Sequence, residues 1–144
     1  MTGVSGEFPL TGGCGCGAVR FEIRRPLGPA SYCHCTRCQR RTGAAASPQA
    51  RVEPGSLIVL DGAELVREWQ PPGGFAKAFC SRCGSALWSR HPDEREPFSV
   101  RLGAFDSDPG VRPSYRQFVD YACVWEPVPD DGLARHPESG RARD

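Results

Sequence analysis

Seven of the eight cysteines in this 144-residue chain fall into three tight groups. They are Cys14-Gly15-Cys16, Cys33-His34-Cys35-Thr36-Arg37-Cys38 and Cys80-Ser81-Arg82-Cys83, while Cys123 stands apart. Thiolates at such spacings are ligands for a soft, tetrahedral ion. In C-x-x-C a tight turn aims two sulfurs at one zinc, with Zn–S near ~2.3 Å. Gly84, directly after Cys83, suits a turn that needs positive φ. In C-x-C an extended backbone puts both side chains on one face. The chain opens with no charged segment followed by an apolar run, so it reads as a non-secreted, cytoplasmic protein. In that setting metal binding outranks disulfides.

One C-x-C and one C-x-x-C make a complete four-thiolate set, so Cys14, Cys16, Cys80 and Cys83 are expected to share a zinc. Cys33, Cys35 and Cys38 offer only three thiolates. Three protein ligands leave a zinc position open, which is the mark of a catalytic site. A fourth protein ligand would close it, and Cys123, His91 and His136 are the candidates. His34 is a poor one, because an extended segment points it away from Cys33 and Cys35. A different partition pairs Cys35 and Cys38 with Cys80 and Cys83 in a zinc ribbon. Its gap, residues 39–79, exceeds the ~15–20 of common ribbons, and it leaves Cys14, Cys16 and Cys33 without a role. Arg37, Arg40 and Arg41 adjoin the three thiolates. Guanidinium groups can clamp carboxylates, and they can equally offset thiolate charge or point to solvent.

The elements that must carry these groups are short. Gly17 to Arg24 alternates, with Val19, Phe21 and Ile23 on one side and Arg20, Glu22 and Arg24 on the other, as in a half-buried strand. Further apolar runs lie at 57–60, 64–69, 76–79, 86–89, 98–102 and 115–121, separated by Asp61-Gly62, Pro71-Pro72-Gly73-Gly74, His91-Pro92 and Pro109-Gly110. This spacing predicts an all-β domain of short antiparallel strands. Only Thr36–Thr42 could form a short helical turn. The first dozen residues read as a loose leader. Residues 1–137 read as a single domain, and 138–144 as a disordered tail. With 17 Gly, 14 Pro and 39% hydrophobic residues, the core is small and would gain from cross-links. No run approaches the roughly 20 apolar residues of a membrane span. A net charge of +1 gives no field that would gather nucleic acid.

The motifs GGCGCGAVRFEI (12–23), CHCTRCQRRTGA (33–44), FCSRCGSALW (79–88) and LGAFD (102–106) occur in this order. Together they resemble the glutathione-dependent formaldehyde-activating enzyme family, which also includes centromere protein V. The stretch from Arg112 to Pro137, with Trp125, is similar to that family's ending. The resemblance implies a β-tent fold with two zinc ions. It puts Cys14, Cys16, Cys80 and Cys83 on the structural zinc and Cys33, Cys35 and Cys38 on the catalytic one. It also implies a carbon–sulfur lyase that forms or cleaves S-hydroxymethylglutathione, or a related adduct of a small thiol and an aldehyde. Three thiolates on Zn²⁺ carry net negative charge, which suits a held sulfur nucleophile better than a hydrolytic hydroxide. Arg37, Arg40 and Arg41 would then face the carboxylates of glutathione. Two positions depart from the family pattern. Gly15 stands where His is common, and Ala122-Cys123-Val124-Trp125 replaces the usual Ala-Pro-Trp. The competing reading is a non-catalytic zinc module for a protein or nucleic-acid partner. A thiol redox sensor is compatible with either.

Overall fold

The computed structural model describes residues 8–140. The strands are β1 (Leu10–Gly13), β2 (Arg20–Ile23) and β3 (Ala30–Cys33), followed by the helix α1 (Thr36–Thr42). Next come β4 (Ser47–Arg51), β5 (Leu57–Asp61), β6 (Val66–Trp69), β7 (Ala76–Cys80), β8 (Ala86–Arg90) and β9 (Pro97–Arg101). The chain ends with β10 (Pro113–Gln117) and β11 (Ala134–Arg135), so the protein is mostly β, as its sequence predicts. The described residues divide into two compact units, 8–28 with 50–111 and 29–49 with 112–140.

The first unit holds two antiparallel arrays. β1, β2 and β5 form one, and β6, β7, β8 and β9 form the other. The alternation in β2 does what the pattern requires, since Phe21 and Ile23 are fully buried while Arg20 and Glu22 are not. In β7, Ala76, Ala78 and Cys80 point inward. The core joins Val19, Phe21, Ile23, Leu57, Leu87, Trp88 and Val100. Phe21 packs edge-on against both Trp88 and Phe105, at centroid distances of 6.0 and 5.9 Å.

Residues 1–7 of the expected leader lie outside the described residues, and its last three, Leu10 to Gly12, belong to β1. Its sequence, LTGG, has no strand-forming pattern, and space rather than propensity selects it. A Cβ on Gly12 would lie 2.4 Å from the Ala104 carbonyl oxygen and 2.7 Å from Phe21 Cζ. Only glycine allows the strand to sit this close.

The second unit differs from the expected antiparallel pattern. β10 pairs in parallel with both β3 and β11. β3 was hidden in the sequence because its buried residues, Ala30, Ser31 and Cys33, do not form an apolar run. Glu138 and Gly140, placed by sequence in the tail, are tied back to this sheet. The Phe118 amide donates to the Glu138 carbonyl at 2.9 Å, and the Gly140 amide donates to Gln117 Oε1 at 3.0 Å. The remainder of the predicted tail, 141–144, lies outside the described residues.

Candidate metal centres

In the first unit, the Sγ atoms of Cys14, Cys16, Cys80 and Cys83 all lie within 4.8 Å of one another. Cys14 and Cys16 sulfurs are 3.5 Å apart, and those of Cys16 and Cys80 are 4.0 Å apart. A tetrahedral ion with metal–sulfur bonds of ~2.3 Å needs sulfurs about 3.8 Å apart. The Cys14–Cys16 and Cys16–Cys80 separations bracket that value, so the four sulfurs could hold such an ion.

Two turns build it. Cys14–Gly17 closes with the Gly17 amide on the Cys14 carbonyl at 3.1 Å. The second turn closes with the Gly84 amide on the Cys80 carbonyl at 2.7 Å, and Gly84 takes φ +80°. The Val19 amide donates to Cys14 Sγ at 3.2 Å, and the Gly15 amide donates to Ser85 Oγ at 2.8 Å. Ser85 Oγ in turn lies 3.2 Å from Cys83 Sγ.

The thiols compete for negative charge. Hydrogen bonds from Ser85 bring Cys83 down to about 5. Cys16, helped by the Ala18 amide but crowded by Cys14 and the other sulfurs, is pushed up to about 11. Four adjacent sulfurs cannot all ionise without a cation among them.

In the second unit, Cys33, Cys35 and Cys38 form a three-thiol group within the same 4.8 Å limit. β3 delivers Cys33, and α1 delivers Cys38 on its buried side. Cys35 is the helix N-cap. Its Sγ accepts the Cys38 amide at 3.3 Å, the role a Ser or Asp oxygen usually plays. Gly43, at φ 71°, ends the helix after two turns. Neighbouring Cys35 and Cys38, together with burial, raise Cys33 well above the ordinary thiol range. Cys35 is also raised, since Cys38 and burial outweigh the help it receives from Cys33.

The three arginines beside this group separate clearly. Arg41 Nη2 reaches Cys38 Sγ at 3.9 Å and Ser47 Oγ at 3.2 Å. Arg37 and Arg40 are exposed on α1, which carries no acidic residue in its first turn.

The candidate fourth ligands do not join the three-thiol group. Cys123 Sγ lies 3.9 Å from the Glu126 carbonyl oxygen. His136 packs edge-on against Tyr115, and His91, in the first unit, packs against Phe75. The ribbon partition is overturned as well, because Cys80 and Cys83 group with Cys14 and Cys16.

Sequence reading missed Arg116 and Asp131. Arg116 is buried, its Nη1 lies 3.1 Å from His34 Nε2, and its Nη2 donates to Asp131 Oδ2 at 2.8 Å. Burial, and then the Arg116 charge, hold His34 below the usual imidazole range. The only hint was a basic residue at an inward position of the 115–121 run.

A small, mostly β protein with a four-thiol and a three-thiol cluster is thus defined. The family model for "Glutathione-dependent formaldehyde-activating enzyme" matches residues 9–121, and the chain belongs to that family. A Halomonas elongata protein named "Putative glutathione-dependent formaldehyde-activating enzyme" is 36% identical over 110 residues, which is 69% of this chain and 67% of that protein. A structural-genomics crystal structure of a Rhodobacter sphaeroides protein superposes with a TM-score of 0.54 at 26% identity, covering 88% of this chain and 99% of that one. Among the described residues, no helix is long and apolar enough to cross a membrane.

Proposed function

We propose that this protein is a zinc-dependent carbon–sulfur lyase acting on glutathione, or a related small thiol, and formaldehyde. Family membership and the name of the Halomonas relative support the chemistry. The observation that carries the reading is the inequality of the two thiol clusters. One offers four sulfurs, which fills a tetrahedral ion, and the other offers three. Cys14, Cys16, Cys80 and Cys83 would hold a structural zinc. Cys33, Cys35 and Cys38 would hold a second one with room for a substrate sulfur. Zinc there would favour the thiolate form of that sulfur.

The reaction is balanced without any other reagent. A carbon–sulfur bond forms between the thiol and the aldehyde carbon, and the thiol proton ends on the former carbonyl oxygen. The chain's own residues shape the setting. Arg41 offsets the charge of Cys38 through its Nη2, so the three-thiolate group repels an incoming thiolate less. Arg37 and Arg40 offer exposed guanidinium groups to the carboxylates of glutathione. The free thiols suit the reducing cytoplasm.

Exchange NMR tests the proposal directly. Zinc-loaded protein is added to glutathione and formaldehyde, and the interconversion of formaldehyde hydrate and adduct is measured. Acceleration over buffer, abolished by Cys35→Ser, is the expected result. A rate equal to buffer with both zincs loaded would leave the non-catalytic module as the better reading.

A further inference from the structure

Behind the three-thiol cluster lies a chain of polar groups to which the chemistry above gives no part. Arg116 sits on β10 opposite Tyr32, one step from the Gln117–Cys33 pairing. It is 8% exposed, and its guanidinium lies 4.3 Å from the Tyr32 ring centroid. Its Nε and Nη2 both donate to Asp131 Oδ2, at 3.1 and 2.8 Å. Its Nη1 lies 3.1 Å from His34 Nε2. A guanidinium has donors only, so His34 Nε2 must accept, and the ring proton belongs on Nδ1.

His34, 2% exposed, is the residue between Cys33 and Cys35. It is held at three points. Arg116 grips the ring. The His34 amide donates to the Gln117 carbonyl at 3.0 Å. The His34 carbonyl accepts Gln39 Nε2 at 2.8 Å, and the same nitrogen reaches the Tyr121 carbonyl at 2.9 Å.

Burying a guanidinium is costly, and a well-packed apolar side chain would stabilise the sheet as well or better. What an apolar residue could not supply is a directional hold on the ring. A rotation about the His34 backbone would swing the Cys33 and Cys35 side chains apart. Lysine could not take over this task, because stacking on Tyr32 while bridging Asp131 and His34 needs a planar fork.

We propose that Arg116, anchored by Asp131, is a positioning residue for the Cys33–Cys35–Cys38 cluster, acting through the His34 ring to fix the main chain between the first two thiols. The proposal rests on the reading of that cluster as a metal site.

The test uses the full chain loaded with Co²⁺ in place of zinc, with Arg116→Met, Arg116→Lys and Asp131→Asn. Sulfur-to-cobalt charge-transfer and ligand-field bands report thiolate geometry, and Cys35→Ser difference spectra separate the second cluster from the first. The expected result is a shift in the second-cluster bands and metal release at a roughly 10–100-fold lower chelator concentration, the affinity loss typical of residues that support a ligand without binding metal. Bands of the Cys14–Cys83 cluster stay unchanged and serve as the internal control for folding. Unaltered second-cluster bands and release in the variants would overturn the proposal. If Arg116→Met does not fold, Arg116→Lys and Asp131→Asn decide, since each keeps the approximate volume of the original. A wild-type chain that takes up one cobalt only would instead overturn the metal-site reading, and this is seen before any variant is made.

Discussion

The Sγ atom of Cys16 lies 4.0 Å from that of Cys80, although the two residues are 64 positions apart. An ion held there ties β1's end to β7's end within the first unit. Losing a structural metal belongs to the short list of changes with large stability effects. Cys80→Ser is expected to lower metal content from two ions to one and to cost roughly 3–5 kcal/mol. Elemental analysis and thermal unfolding check this. A Tm within a degree or two of wild type would sink it.

Cys123 does not belong to the three-thiol group, and its sulfur faces the Glu126 carbonyl. Cys123→Ser is therefore expected to keep the wild-type metal content and the wild-type exchange rate to within about twofold. A lost ion on this substitution would mean that Cys123 closes the second cluster.

Gly12 has no room for a side chain. A Cβ there meets the Ala104 carbonyl oxygen at 2.4 Å, and backbone cannot swing aside as a side chain can. Gly12→Ala is expected to destabilise by about 1–3 kcal/mol through overpacking, read by urea unfolding. Gly103→Ala, which meets nothing within 4 Å, is the matched control and should be near neutral.

Asp106 accepts from Arg20 and from Thr11 Oγ1, and these bonds hold its carboxyl below the ordinary carboxylate range. A depressed folded pKa contributes stability above the unfolded value, near 3.8, which is lost as pH falls through the folded one. Wild type should therefore exceed Asp106→Asn in Tm at pH 6, and the gap should shrink toward pH 3. The pair is partly exposed, so the gap is small. A gap that widens on acidification contradicts the assignment.

Legibility in the sequence followed range. The cysteine groups could be read because each spacing is local, and the alternation of β2 could be read because Phe21 and Ile23 share a face within four residues. Thr36–Thr42 emerged as the helix with its bounds intact. β1 could not be read, because Gly12 is chosen by Ala104 and Phe21, which are distant in sequence. Asp131, Arg116 and His34 span nearly a hundred positions, and nothing local marks any one of them. Glu138 looks like tail until its carbonyl is seen to accept the Phe118 amide.

The two clusters differ in how far apart their members are along the chain, and this bears on biosynthesis. Cys33, Cys35 and Cys38 emerge from the ribosome together, so a nascent chain can capture an ion there before any sheet exists. Cys14 and Cys16 must wait for Cys83, and closing so long a loop carries an entropic cost that only folded strands offset. Metal loading should thus be ordered, with the three-thiol cluster filled first and the four-thiol cluster completed as folding ends. An unfolded chain refolded with one equivalent of metal would then place it in the short cluster, whatever the final affinities favour.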